Sequence, residues 1–129
     1  MRKENEQPLI QIIDDSSTNI MLLQGILEEK GLQSEIFMNA EDGLAFLKDN
    51  TPDLIVLDIM MPKMDGYSFL EEMQKMEGKS EIPVIIVSAK TEDDDIKKAK
   101  VLGAVEYITK PLRIESFIQK IESLIHIHS

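Results

Sequence analysis

Five short apolar runs recur along the chain, each followed by a stretch in which apolar residues fall at helical spacing. The runs cover 9–13, 34–38, 54–57, 84–87 and 105–109, the second being a weaker strand signal. Alternation of this kind leaves no room for hairpins. Each strand must return through a helix, and right-handed crossovers then build one parallel sheet covered on both faces. The fold class is therefore α/β, a doubly wound (βα)5 arrangement. Run 54–57, Leu-Ile-Val-Leu, is apolar at every position, as suits a strand buried on both faces.

The intervening stretches carry helix signals. From Ser17 the apolar positions are Ile20, Leu23, Ile26 and Leu27, and Gly31 supplies a stop. Asn39 caps the second helix, with Glu41 and Asp42 in its first turn and Leu44 and Leu47 facing inward. Asp65 caps the third, whose buried side uses Phe69, Leu70, Met73 and Met76. Thr91 followed by Glu92, Asp93 and Asp94 starts the fourth in near capping-box fashion. Its stripe of Ile96, Ala99 and Leu102 is thin, and Gly103 ends it. The fifth helix, over 114–125, presents Ile114, Phe117, Ile118, Ile121 and Ile125. No repeat, low-complexity segment or internal linker interrupts the pattern. One domain over 9–126 is expected, between a polar arm at 1–8 and a tail at 127–129.

A chain of 129 residues makes one ordinary domain with a real core. The formal net charge of -10 argues against direct binding of nucleic acid, which needs clustered Lys and Arg. There is no cysteine, so disulfides and thiolate zinc sites are excluded. No apolar run approaches membrane-spanning length and no signal-peptide core opens the chain, which fits a cytoplasmic protein with no membrane partner.

The strand ends carry the chemistry. The first ends in Asp14 and Asp15, the third in Asp58, the fourth in Ser88 and the fifth in Lys110. In a parallel sheet all these ends share one edge, where ligands of open α/β sheets bind. Three carboxylates crowded there repel one another unless a cation neutralises them. A hard divalent ion does so through oxygen ligands; Mg2+ fits best, with Mn2+ able to substitute. Asp58 can then attack phosphorus as a carboxylate nucleophile, Lys110 can meet a phosphoryl oxygen as a compact charge, and Ser88 can donate to another. Singly, each residue has an ordinary reading as a cap, turn or surface charge. Joint placement on one edge outweighs those readings.

The motifs that follow are Asp14-Asp15, Leu-Asp-Ile-Met-Met-Pro-Lys-Met-Asp-Gly from Leu57 to Gly66, Ser88-Ala89-Lys90, and Tyr107-Ile108-Thr109-Lys110-Pro111. In this order and spacing the chain resembles the receiver domain of bacterial two-component response regulators, similar to single-domain chemotaxis and sporulation regulators. The resemblance implies the flavodoxin-like strand order 2-1-3-4-5 and phosphorylation of Asp58 by a histidine kinase or histidine phosphotransfer protein. It implies Mg2+ held by Asp15, Asp58 and the Met60 backbone carbonyl, with Asp14 acting mostly through water, and a cis Lys110-Pro111 bond. It implies a switch in which Ser88 moves toward the phosphoryl group, Tyr107 turns inward, and the surface of the fourth helix, fifth strand and fifth helix changes. That surface would contact an output domain or partner protein, or a second copy. The thin stripe of the fourth helix suits an element free to shift.

By the same resemblance, Met60 and Lys90 stand where side chains control water's access to the acyl phosphate. Neither offers a group to orient water, so a slowly hydrolysing phosphoryl state is expected. The protein is then a regulatory phosphoacceptor that assists its own phosphorylation and dephosphorylation, not an enzyme acting on other substrates. Asp93, Asp94 and Asp95 read as a solvated helix start. Met60, Met61 and Met64 read equally as adaptable binding surface or loop packing. His126 and His128 are assigned no role.

Three rivals exist. A haloacid-dehalogenase-like phosphatase would need a second acid two residues after Asp58, where Met60 stands. A flavodoxin-like cofactor binder would want glycines and hydroxyls where Asp14 and Asp15 stand. A degenerate receiver serving as an unphosphorylated interaction module is disfavoured by Asp14, Asp15, Asp58, Ser88 and Lys110 all being present. Docking as a free-standing regulator and service as the receiver of a longer one are both open.

Overall fold

The computed structural model describes residues 7–125; the arm before Gln7, the tail residues 127–129, and His126 and His128 lie outside them. Ten elements alternate without exception: β1 Leu9–Ile13, α1 Ser17–Glu29, β2 Gln33–Phe37, α2 Ala40–Asp49, β3 Leu54–Leu57, α3 Gly66–Gln74, β4 Val84–Ser88, α4 Asp93–Val101, β5 Glu106–Thr109 and α5 Ile114–Leu124. The five strands form one parallel sheet in the order β2-β1-β3-β4-β5, as the alternation and the family resemblance imply.

Strand side chains alternate between faces, so each strand feeds two cores. Ile13, Ile55, Leu57, Val84 and Ile86 meet Leu47 of α2, Phe69, Leu70 and Met73 of α3, and Ala99 of α4. On the other face Ile10, Ile12, Leu54, Val56, Ile85, Val87 and Ile108 meet Ile20, Leu23 and Leu27 of α1 and Phe117 and Ile121 of α5. Gln11 is the exception in β1. It is fully buried, its Nε2 donates to the Gly43 carbonyl of α2 at 2.9 Å, and its Oε1 has no protein partner.

Local chemistry fixes the helix ends. Asn39 and Asp65 cap α2 and α3 as expected, their side chains accepting from Asp42 N and Ser68 N. Gly31 and Gly103 adopt φ of 72° and 116°, and Leu32 N and Ala104 N close back onto Leu27 and Ala99. Those are the bonds of a Schellman stop, which a Cβ would oppose.

α1 starts at Ser17 as expected, with Ser16 as its cap. Several other boundaries differ from the sequence expectation. β2 runs one residue earlier, leaving Met38 exposed, and its last paired residue, Phe37, gives its carbonyl to the N–H of Asp14. β5 begins at Glu106 rather than Val105. Thr91 does not cap α4; Glu92 occupies that position and makes no side-chain capping bond. Met76 lies past the end of α3 yet still packs on the core. Leu44, Ile96, Leu102, Ile118 and Ile125 are only half-buried, and Ile114, expected to face inward, is 49% exposed at the start of α5.

Gly66 sits against the turn that follows β3. A Cβ there would lie 2.6 Å from the Asp58 carbonyl oxygen and 2.8 Å from Ile59 Cα, both backbone atoms that cannot yield. Gly25, in the middle of α1, has nothing within 4 Å. Gly66→Ala should therefore cost about 2 kcal/mol in urea unfolding, whereas Gly25→Ala should gain about 0.5–1 kcal/mol by removing a helix-interior glycine.

Candidate functional site

The pairing pattern continues one residue beyond three strands and fixes the polar edge. Asp14 N donates to Phe37 O at 3.1 Å, Asp58 N to Ile13 O at 3.0 Å, and Lys110 N to Ser88 O at 2.8 Å. Asp14 and Asp58 thus stand side by side at the ends of adjacent β1 and β3, with backbones as rigid as the sheet itself. The Lys110-Pro111 peptide is cis, as the resemblance implies.

The side chains converge. Carboxylate oxygens of Asp14, Asp15 and Asp58 all lie within 4.8 Å of one another. Asp14 and Asp58 are buried and Asp15 is exposed. Lys110 Nζ is 3.1 Å from Asp58 Oδ2 and 3.6 Å from Asp14 Oδ2. Asp58 Oδ1 accepts from the Met60 N–H at 3.1 Å. Asp14 Oδ1 accepts from Ser16 N at 2.9 Å, and its Oδ2 accepts a short bond from Asn19 Nδ2. Burial pushes the Asp14 carboxyl above its ordinary value; the bonds from Ser16 and Asn19 oppose this, and the Asp58 charge adds to it.

Ser88 ends β4 on the same edge, fully buried. Its Oγ accepts from Lys90 N at 3.3 Å and neighbours the Tyr107 hydroxyl, which donates to the Lys90 carbonyl at 2.8 Å. Tyr107 is half-buried, and burial raises its phenol above the ordinary value despite the bond with Ser88. Met60 is 53% exposed beside the acidic cluster, while Met61 is buried and Met64 packs on the core. The three methionines divide between the two readings.

Asp95 departs from the expected solvated acid. It is half-buried, accepts from the Tyr67 hydroxyl at 3.2 Å and lies 3.6 Å from Lys90 Nζ. Asp93 and Asp94 are exposed as expected. Sequence reasoning also passed over Asn19, since a polar residue in a first helical turn reads as solvated. Its offset of five from Asp14, across an Asp-to-helix turn, was the available signal.

The donor set suits a small hard cation. It is all oxygen, two of the three carboxylates are buried, and one ammonium leaves their summed charge uncompensated. Asp15, exposed, faces the solvent from which such an ion would keep its waters.

The model of the response regulator receiver domain matches residues 10–122. The chain is 38% identical over 122 residues to the transcriptional regulatory protein RprY of Bacteroides fragilis, covering 94% of this chain and 50% of that protein. It is 35% identical over 116 residues to protein PilH of Pseudomonas aeruginosa, covering 90% and 96%. Thus it spans half of one relative and nearly all of another. Among solved structures, the signal receiver domain of a histidine kinase from Syntrophus aciditrophicus superposes with a TM-score of 0.83 at 33% identity, covering 91% of this chain and 89% of that one. A two-component response regulator from Clostridium difficile gives 0.85 at 30% identity, covering 92% and 95%. The chain belongs to the response regulator receiver domain family and is a signalling domain of two-component systems.

The raised Asp14 carboxyl has a definite consequence for stability. Its folded pKa exceeds the unfolded value of 3.8, so the ionised form costs stability at neutral pH, and that cost disappears as pH falls through the folded value toward 3.8. In the presence of a chelator, Asp14→Asn should unfold at higher urea than wild type at pH 7. The difference should shrink on acidification as wild-type Asp14 takes up its proton. An unchanged gap across that range would contradict the assignment.

Proposed function

We propose that Asp58 is the phosphoacceptor of this receiver, taking its phosphoryl group from a phosphohistidine of a histidine kinase or histidine phosphotransfer protein. The observation that carries this reading is a buried carboxylate fixed by the Met60 N–H and Lys110, with the oxygens of Asp14 and Asp15 within 4.8 Å. Asp15, Asp58 and the Met60 carbonyl would hold Mg2+ or Mn2+, with Asp14 acting through water. The ion, when bound, offsets carboxylate repulsion and the charge of the incoming phosphoryl group.

An Asp58 carboxylate oxygen attacks phosphorus in line with the phosphorus–nitrogen bond. That bond's electron pair returns to the imidazole, which leaves neutral because its other nitrogen carries a proton. Lys110 follows the charge from the carboxylate to a phosphoryl oxygen, and Ser88 turns its hydroxyl from Lys90 N to donate to another. Catalysis consists of positioning and charge compensation on a rigid edge. Tyr107 responds to the displacement of Ser88, and the α4–β5–α5 surface offers the altered face to an output domain, a partner protein or a second copy.

No acid stands two residues beyond Asp58, where a dehalogenase-type phosphatase requires one; the residue there is the exposed Met60. Among the described residues no helix is long and apolar enough to cross a membrane, which agrees with action in the cytoplasm beside a kinase. A receiver domain spanning 9–126, with 1–8 and 127–129 as flanking segments, suits this role.

Incubation with acetyl phosphate and Mg2+ should add the mass of one phosphoryl group to the wild type and nothing to Asp58→Asn. Equal incorporation in both would remove the assignment. Met60→Asn should shorten the lifetime of the phosphorylated state several-fold, because its carboxamide can orient a water that the thioether cannot. Slower decay in that variant than in wild type would count against the role given to Met60.

A further inference from the structure

We infer that Tyr67 is a positioning residue for the phosphoacceptor site, its hydroxyl latching α4 in the arrangement that keeps Ser88 turned away from Asp58. The inference rests on the phosphoacceptor reading above.

Tyr67 lies in the first turn of α3 with 6% of its surface exposed. Its ring packs in the core, where a phenylalanine would serve equally well. The hydroxyl does something else. It reaches α4 and meets Asp95 Oδ1 at 3.2 Å and the Asp95 carbonyl at 3.3 Å. Lys98 Nζ stands 4.3 Å above the ring and Lys90 Nζ 5.7 Å, and a cation so placed is attracted to an aromatic face. Burial, then the Asp95 carboxylate, push the phenol up to about 12, so it remains a donor at any working pH.

Helix α4 has few other attachments: Ile96 and Leu102 are half-buried, and Leu102 packs on the core. Only Ala99 is buried, and Glu92 makes no side-chain capping bond. The Tyr67–Asp95 clasp therefore carries an unusual share of its attachment. Lys90 joins that clasp to the site. Its N–H donates to Ser88 Oγ at 3.3 Å, its carbonyl accepts from Tyr107 at 2.8 Å, and its ammonium lies 3.6 Å from Asp95 Oδ1. When Ser88 Oγ swings toward a phosphoryl oxygen on Asp58, its already long 3.3 Å bond from the Lys90 N–H is given up. The released segment can shift only as far as Asp95 and Tyr67 allow, so the Tyr67 hydroxyl opposes the phosphoryl-bound arrangement.

The test is calorimetric titration of the whole chain with beryllium trifluoride, a phosphoryl analogue, in Mg2+. Removing one hydrogen bond to a carboxylate from the unliganded state should let Tyr67→Phe bind the analogue roughly fivefold more tightly than wild type. Asp95→Asn, which keeps an acceptor for the hydroxyl but releases Lys90, should shift affinity the same way by less. Amide exchange over 93–97 without the analogue should be faster in Tyr67→Phe. A purely structural role would leave binding unchanged or weaken it. If wild type binds while Tyr67→Phe binds equally or less well, the latch is overturned and the phosphoacceptor reading stands. If wild type binds no better than Asp58→Asn, both are overturned together.

Discussion

Everything at the polar edge depends on one ammonium shared between two buried carboxylates. Lys110 reaches Asp58 and Asp14 from the far end of the sheet, two strands away from β3 and three from β1. Three acids against one base leave the cluster anionic, a state no stable core would select for its own sake. It persists because the backbones that carry Asp14, Asp58 and Lys110 are locked by continued strand pairing, so the carboxylates cannot separate without unzipping the sheet ends. Repulsion is thereby stored rather than relieved, and what relieves it is whatever positive charge the edge can recruit.

The sheet can sustain this because its inner strands are buried along almost their whole length. Both faces of β3 and β4 are fully occupied by aliphatic side chains, with Phe69 on one side and Phe117 on the other. The one buried polar side chain of the strands away from the edge, Gln11, spends its amide on the Gly43 carbonyl and keeps β1 and α2 in register at the cost of an unpartnered Oε1. Within β1, β3 and β4 no charged side chain interrupts the apolar length, and Asp14 and Asp58 stand just past the ends of β1 and β3. Neither the apolar length nor the acidic end has to compromise the other.

That division also explains what could be read from the sequence alone. Strand positions, the fold class and the convergence of Asp14, Asp58, Ser88 and Lys110 follow from period and from where apolar runs stop, since burial on both faces leaves a strand no alternative. Features set by a single contact were invisible. β2 is a half-buried edge strand, so apolar pattern marks its two ends only weakly. Ile114 satisfies the stripe of α5 yet sits at its first turn, clear of the core. Asp95 belongs to a run of three aspartates indistinguishable in sequence, and only the packing of α3 against α4 singles it out.

Helices α3 and α4 show how differently one fold can anchor neighbouring elements. α3 is held by a side-chain cap at Asp65 and, mainly, by burial of Phe69, Leu70 and Met73, whose contacts are apolar. α4 has a single buried alanine and a set of polar attachments at its N-terminal end, all of which pass through Asp95 or Lys90. Hydrophobic burial is nearly indifferent to small displacements, whereas a hydrogen bond is lost within an ångström. An element fixed mainly by directional contacts will therefore move in discrete steps, between one set of partners and another. With Lys90 bonded to the last residue of β4, those steps begin one hydrogen bond from the edge where the acids converge.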